Sequence, residues 1–125
     1  MSELVKLKTE NQISFISMDD GKANAMSVEM LEGLNAALDE AEHFGSVVIL
    51  SGRENVLSGG FDLGVFKSGD NEKILKMLTL GAELSHRMLS YPKPIIAACT
   101  GHAVAMGTFL LLCCDYRVGA SGNSK

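Results

Sequence analysis

The chain has 125 residues, 46% of them hydrophobic and 21% charged, with 11 Lys+Arg against 15 Asp+Glu for a net charge of −4. This length suits one domain with a real core, and the apolar fraction excludes intrinsic disorder. A mildly acidic chain without a basic run lacks the electrostatic footprint that binds phosphate backbones, which argues against a nucleic-acid partner.

Cys99, Cys113 and Cys114 lie in apolar surroundings without the histidine spacing that zinc requires, so no metal site is expected. An odd number of thiols fits a reducing, cytoplasmic setting better than a disulfide scaffold. The N-terminal Met1-Ser2-Glu3-Leu4-Val5-Lys6 does not read as a signal peptide. The stretch from Ile95 to Cys114 carries no charge except at His102, but glycines and threonines interrupt it. It reads as buried core rather than a membrane span.

In chain order, Val5 to Leu7 and Gln12 to Met18 alternate apolar and polar residues around Glu10-Asn11, which predicts a hairpin with one buried face. After the turn Asp19-Asp20-Gly21-Lys22, Ser27 can cap a helix whose Leu31, Leu34, Leu38 and Ala41 form one apolar stripe. Gly45 stops it. Val47 to Leu50 predicts a strand covered on both faces. A glycine-rich loop, Ser58 to Gly64, precedes a helix over about Glu72 to Leu89, with Ile74, Leu78, Leu84 and Met88 on its apolar side and Tyr91-Pro92-Lys93-Pro94 after it. Ile95 to Cys99 is a further strand. A second glycine loop, Gly101 to Gly107, leads into an apolar helix, Phe109 to Cys114. Tyr116 to Val118 forms a last short strand, and the chain from about residue 118 to 125 is expected to be a flexible tail. Alternating strands and helices predict an α/β fold with a largely parallel sheet.

Loops without side chains at their turns let a ligand approach backbone N–H groups. Two such loops from neighbouring strands can aim two donors at one oxygen, an oxyanion hole. Neither loop has a Gly-Lys-Ser/Thr ending, and Gly59, Gly60 and Gly64 lack dinucleotide-fingerprint spacing. On spacing alone, glycines serving tight turns and strand–helix packing remain the plainer explanation.

Three segments resemble the crotonase superfamily, the enoyl-CoA hydratase/isomerase proteins: Asn24-Ala25-Met26-Ser27, Leu57 to Leu63 (LSGGFDL), and Pro92 to Ala98 with Gly101 to Asp115 (GHAVAMGTFLLLCCD). The resemblance spans nearly the whole chain but only about the first half of a typical member. It implies a repeated ββα spiral core. It also implies that the backbone N–H groups of Phe61 and Met106 hold the thioester oxygen of an acyl-CoA, stabilising an enolate-like intermediate. Lys22, Ala23, Ala25, Gly60, Asp62, Leu63 and Gly107 would line the substrate and its CoA moiety. CoA would arrive as part of the substrate, with no separate cofactor, and the family's habit is a homo-oligomer, a trimer or hexamer.

Two departures bear on the chemistry. Phe109 stands where hydratases of the family place a catalytic glutamate, and a phenyl ring cannot transfer a proton. The family's later glutamate belongs to a segment beyond Asp115-Tyr116-Arg117 that these residues do not reach. The resemblance therefore implies isomerase-like chemistry more than hydration, or else a non-catalytic subunit that keeps the fold. Asp62 reads as a helix cap rather than a base. His102 reads as packing, and His43 and His86 as surface residues. Cys113 and Cys114 read as buried, unreactive thiols.

Overall fold

A computed structural model describes residues 4–22, 24–53, 55–99, 101–103 and 114–119. Strands β1 (Val5–Glu10) and β2 (Ile13–Met18) pair antiparallel from Val5↔Met18 to Glu10↔Ile13. The two residues between them, Asn11 and Gln12, both have positive φ (50° and 70°), as a two-residue hairpin turn following the strands' twist requires. The turn thus sits one residue later than the expected Glu10-Asn11. Ser14, Ile16 and Met18 are buried on one face of β2, and Phe15 is exposed on the other.

Helix α1 (Val28–Ala41) begins as expected: the Ser27 hydroxyl accepts the Met30 N–H at 3.1 Å, and Glu29 lies in the positive first turn. Its stripe, Met30, Leu31, Leu34, Ala37, Leu38 and Ala41, is buried. The chain then turns at Gly45 (φ +68°), where an added Cβ would lie 2.6 Å from the Gln12 carbonyl oxygen. Only glycine allows this close pass of the helix exit over the hairpin turn.

Strand β3 (Val47–Ser51) runs parallel to β2. The sequence predicts cover on both faces, and no residue from Val47 to Leu50 is exposed, although the cover is uneven. Val48 and Leu50 are buried, while Val47 and Ile49 are only half-buried. A short strand follows, β4 (Asn55–Ser58), then helices α2 (Leu63–Lys67) and α3 (Asn71–Leu89). Strand β5 (Ile95–Cys99) returns parallel to β3, β6 (Gly101–Ala103) follows, and β7 (Tyr116–Gly119) lies parallel to β5. The main sheet has the order β1-β2-β3-β5-β7, and β4 with β6 forms a separate two-stranded parallel ladder. Paired strands followed by helix recur along the chain, one strand of the later pairs joining each sheet.

Several expectations are corrected here. Residues Ser58 to Gly64 are not all loop: Ser58 ends β4, and α2 begins at Leu63. Gly101 to Ala103, expected as loop, is strand β6. On α3, Leu78 is exposed and Ile74 only half-buried, whereas Met77, Gly81, Leu84 and Met88 face the core. Cys114, expected at a helix end, lies in a buried bend. Strand β7 includes Val118, as the strand expected over Tyr116 to Val118 does, and runs on to Gly119, which was expected in the tail. The tail proper (120–125), the helix expected from Phe109, and Cys113 lie outside the described residues, as do Met106 and Gly107.

Helix α1 packs on α3 and on the β1–β2 hairpin. Its exposed carbonyl end is closed by the segment leading into β5. Lys93 Nζ donates to the carbonyls of Ala41, Glu42 and Phe44 at 2.8, 2.7 and 3.0 Å, and the Tyr91 hydroxyl donates to the Leu38 carbonyl at 2.6 Å. Of these carbonyls, Leu38 also accepts the Glu42 N–H and Ala41 the Phe44 N–H, so the lysine and the tyrosine supplement the last local backbone bonds of the helix. At the entry to β7, Asp115 and Ile95 exchange two bonds: Ile95 N–H to the carboxylate at 2.7 Å, and Asp115 N–H to the Ile95 carbonyl at 2.8 Å.

Candidate functional site

Two segments that are distant in sequence meet where α1 begins. In the first, residues 19 to 26, short polar side chains bind nearby backbone instead of extending a strand. The Asp20 carboxylate accepts N–H bonds from Lys22 (2.7 Å), Asn24 (3.0 Å) and Ala25 (3.1 Å), wrapping the turn around one charge. Burial pushes its pKa up, but these three donors and the nearby Arg53 guanidinium outweigh it and hold the carboxyl below its ordinary value. Arg53 ties the turn down further. It donates to the Lys22 carbonyl, and its Nε lies 3.1 Å from Asp19 Oδ1, an ion-pair contact off the hydrogen-bonding direction.

Asn24 is the pivot. It is fully buried with φ +53°, a left-handed conformation that asparagine tolerates better than most residues. Its amide donates to the carbonyls of Met18 (2.9 Å) and Leu57 (3.1 Å), and its side-chain oxygen accepts the Asp20 N–H (2.9 Å). One side chain thereby joins the end of β2, the turn and β4.

The second segment is Ser58-Gly59-Gly60-Phe61-Asp62. Met26 N–H donates to the Gly60 carbonyl at 2.7 Å and Asp62 N–H donates to the Met26 carbonyl at 3.4 Å, a one-rung parallel bridge between Met26 and Phe61. The Gly60 carbonyl and the Phe61 N–H belong to one trans-planar peptide, so they point in opposite directions. With the carbonyl held against Met26, the Phe61 N–H is turned away from it, and it has no hydrogen-bond partner among the described residues. Gly60 has φ +91°, accessible to glycine at no steric cost.

The remaining predicted positions fall around this bridge. Gly60 is buried, Ala25 half-buried and Lys22 exposed. Asp62 caps α2, accepting the Gly64 N–H at 2.8 Å, which fits its reading as a cap. Leu63 is 67% exposed, and Phe61 packs edge-on against Phe66 with ring centres 6.3 Å apart. An open cleft of about 410 Å³ beside Asp62 is lined by Ser27, Val28, Glu29, Val65, Lys73 and Lys76. Ala23, Met106, Gly107 and Phe109 lie outside the described residues. Strand β6 nevertheless pairs Ser58 with Ala103, so the two glycine-rich stretches start from neighbouring points of one ladder. No group of three or more His, Cys, Asp or Glu suited to a metal occurs among the described residues, and none of their helices is long and apolar enough to cross a membrane.

Reasoning from sequence missed the parts played by Asp20, Arg53, Asn24 and Ser58. The signal for the first and third was there, since Asp and Asn flanking Gly21 mark a turn built from side chain-to-backbone bonds. The bonds of Ser58 to Asn24 and of Arg53 to Lys22 had none, because those partners are 34 and 31 residues away.

Residues 8–124 match the family model described as enoyl-CoA hydratase/isomerase. Among curated relatives, a probable enoyl-CoA hydratase of Bacillus subtilis is 33% identical over 119 residues, covering 93% of this chain and 46% of its own length. A short-chain-enoyl-CoA hydratase of Clostridium acetobutylicum is 30% identical over 125 residues, covering 97% and 48%. The crystal structure of a probable enoyl-CoA hydratase from Mycobacterium tuberculosis superposes with a TM-score of 0.91 at 48% identity, covering 94% of this chain and 50% of that one. An apo structure from the same organism, described as an enoyl-CoA isomerase, gives 0.88 at 47% identity, covering 96% and 52%. The chain spans about half the length of each of these four proteins.

Proposed function

The chain belongs to the enoyl-CoA hydratase/isomerase family, of crotonase fold, and we propose that it contributes the thioester-binding part of an acyl-CoA enzyme whose chemistry is isomerase-like more than hydratase-like. The observation that carries this reading is the Gly60–Phe61 peptide, whose carbonyl is taken by Met26 and whose N–H faces away without a partner among the described residues. A donor held by its own peptide is already in place when charge develops on a thioester oxygen, so it costs no reorganisation. Its carbonyl, accepting a bond, also polarises the N–H in the donating direction.

Met106 would supply the second donor, and the pairing of Ser58 with Ala103 supports a common origin for the two stretches. The 3-enoyl thioester would lose a proton from its α-carbon to a general base, which then returns it to the γ-carbon, the electron pair resting meanwhile on the thioester oxygen between these N–H groups. Reprotonation at the γ-carbon would give the conjugated 2-enoyl product. Lys22, Ala23, Ala25, Gly60, Asp62, Leu63 and Gly107 would contact the substrate, with CoA entering as part of it and no further cofactor. Phe109, at the position of the hydratase glutamate, supports isomerisation over water addition. It supports equally a second reading, a non-catalytic subunit that keeps the fold.

Assembly into a homotrimer or hexamer is part of the proposal. The exposed Leu63, Phe66, Leu75, Leu78 and Leu89 on α2 and α3 supply apolar surface for such contacts. A cytoplasmic setting fits the odd number of cysteines, three, in the sequence. The test is a calorimetric titration with a medium-chain 2-enoyl-CoA, followed by assays on matched 2-enoyl- and 3-enoyl-CoA. Saturable one-to-one binding with double-bond migration exceeding hydration is expected. A folded protein that binds no acyl-CoA would remove the site. Binding with neither reaction would favour the non-catalytic subunit.

A further inference from the structure

We propose that Ser58 is a positioning residue for the oxyanion donor at Phe61, a role that rests on the thioester-binding reading above. Ser58 is fully buried, and its hydroxyl is used in both directions by backbone alone. It donates to the Asn24 carbonyl at 2.8 Å and accepts the Gly60 N–H at 3.1 Å. Residue 60 is consequently held at both ends, its N–H by Ser58 and its carbonyl by Met26 at 2.7 Å. Glycine at φ +91° has no side chain to restrict rotation, so these two bonds are what fix the direction of the following N–H.

The same hydroxyl joins the donor to the turn that would line the CoA moiety. The Asn24 carbonyl it binds belongs to the residue whose side chain gathers Met18, Leu57 and Asp20. A serine-to-alanine change would leave the Asn24 carbonyl without this donor and release the Gly60 N–H, so that residue 60, and with it the 60–61 peptide that carries the donor, would be held by the Met26 bond alone. The Phe61 N–H would then lose its aim while the walls of the site stay in place. The expected consequence is weaker polarisation of the thioester with little change in binding, because only the donor at the oxygen is misdirected.

The experiment binds a 2-enoyl-CoA labelled with ¹³C at the thioester carbonyl to the wild-type protein, Ser58→Ala and Ser58→Cys, and reads the carbonyl stretch by difference infrared spectroscopy. Affinity is measured on the same samples by calorimetry. The wild type is expected to lower the stretching frequency. Ser58→Ala should lose at least half of that shift while its Kd changes less than about threefold, and Ser58→Cys, which keeps a weak donor and acceptor in place, should fall between them. If Ser58→Ala does not fold, Ser58→Cys decides on the same readout. A full wild-type shift in the folded variant overturns the role of Ser58 and leaves the Phe61 reading standing. The role is equally overturned if shift and affinity fall together in proportion. Absence of any shift in the wild type removes the Phe61 reading and this one with it.

Discussion

Replacing Asn24 tests whether the turn before α1 is held by its side chain or merely by its backbone conformation. In Asn24→Ala the bonds to the Met18 and Leu57 carbonyls and from the Asp20 N–H are lost together. Met18 and Leu57 are fully buried, so their carbonyls are poorly placed to recruit water. At about 1 kcal/mol for each bond, the loss is ~3 kcal/mol. Holding alanine at φ +53° adds about 1 kcal/mol. The sum, ~4 kcal/mol, is a large part of the roughly 5–15 kcal/mol that stabilises a typical domain. With an unfolding entropy of about 2 cal/mol/K per residue, it lowers Tm by roughly 15 °C. Asn24→Gly separates the two contributions. It relieves the backbone strain but restores no bond, so it should recover about 1 kcal/mol of the loss and no more. Urea unfolding followed by circular dichroism, with thermal melts alongside, measures all three proteins. If Asn24→Gly were as stable as the wild type, the side-chain bonds would contribute nothing and the residue would be there only for its φ. If Asn24→Ala cost less than about 1 kcal/mol, the pivot itself would be refuted.

Three further outcomes are expected. Gly45→Ala should destabilise the protein by at least about 2 kcal/mol in a urea titration, since its Cβ would sit 2.6 Å from the Gln12 carbonyl oxygen at φ +68°; a change below 0.5 kcal/mol would mean the hairpin turn yields freely. Asp20 has a folded pKa below its ordinary value near 3.8, so its contribution to stability is present above that value and is lost as pH falls through the folded one. Asp20→Asn should flatten the acid limb of the stability profile there, and an unchanged limb would exclude the carboxylate as the organiser of the turn. Tyr91, half-buried and bonded to Leu38, has a pKa raised to about 12 by burial, with Glu42 and Asp39 adding to it against Arg87. Its stabilising effect should be complete below pH ~10 and disappear as pH rises through about 12. Ultraviolet titration should show one late phenol ionisation that Tyr91→Phe abolishes.

What could be read in the sequence follows from the range of the forces involved. The hairpin and the capped helix α1 are specified by residues within a few positions of one another, and both occur where the pattern puts them. Strands β4 and β6 have four and three residues, contain or adjoin glycine, and exist because they pair with each other across 46 positions, from Asn55 to Gly101. No local periodicity marks such a ladder. On α3 the letters mislead, because Leu78 resembles a core residue more than Gly81 does. Yet Gly81 is buried and Leu78 is exposed.

The site shows the same division at finer scale. The motif segments were legible as Asn24 to Ser27 and Leu57 to Leu63, and the fold brings them together through the Met26–Phe61 bridge. What the letters did not show is that the bonds at the two ends of residue 60, Met26 N–H to its carbonyl and its own N–H to the Ser58 hydroxyl, set which way the neighbouring N–H points. Side-chain chemistry is what a sequence displays, and here the candidate donor is a peptide. Asp20, Asn24, Arg53 and Ser58 therefore act on it indirectly, each binding backbone that in turn fixes residues 60 and 61. A site of this kind tolerates a phenylalanine at residue 61, since the side chain packs on Phe66 while the N–H of the same residue remains available. Its sensitivity to mutation should accordingly lie at Asn24 and Ser58, which hold the peptide, more than at the residue that owns the donor.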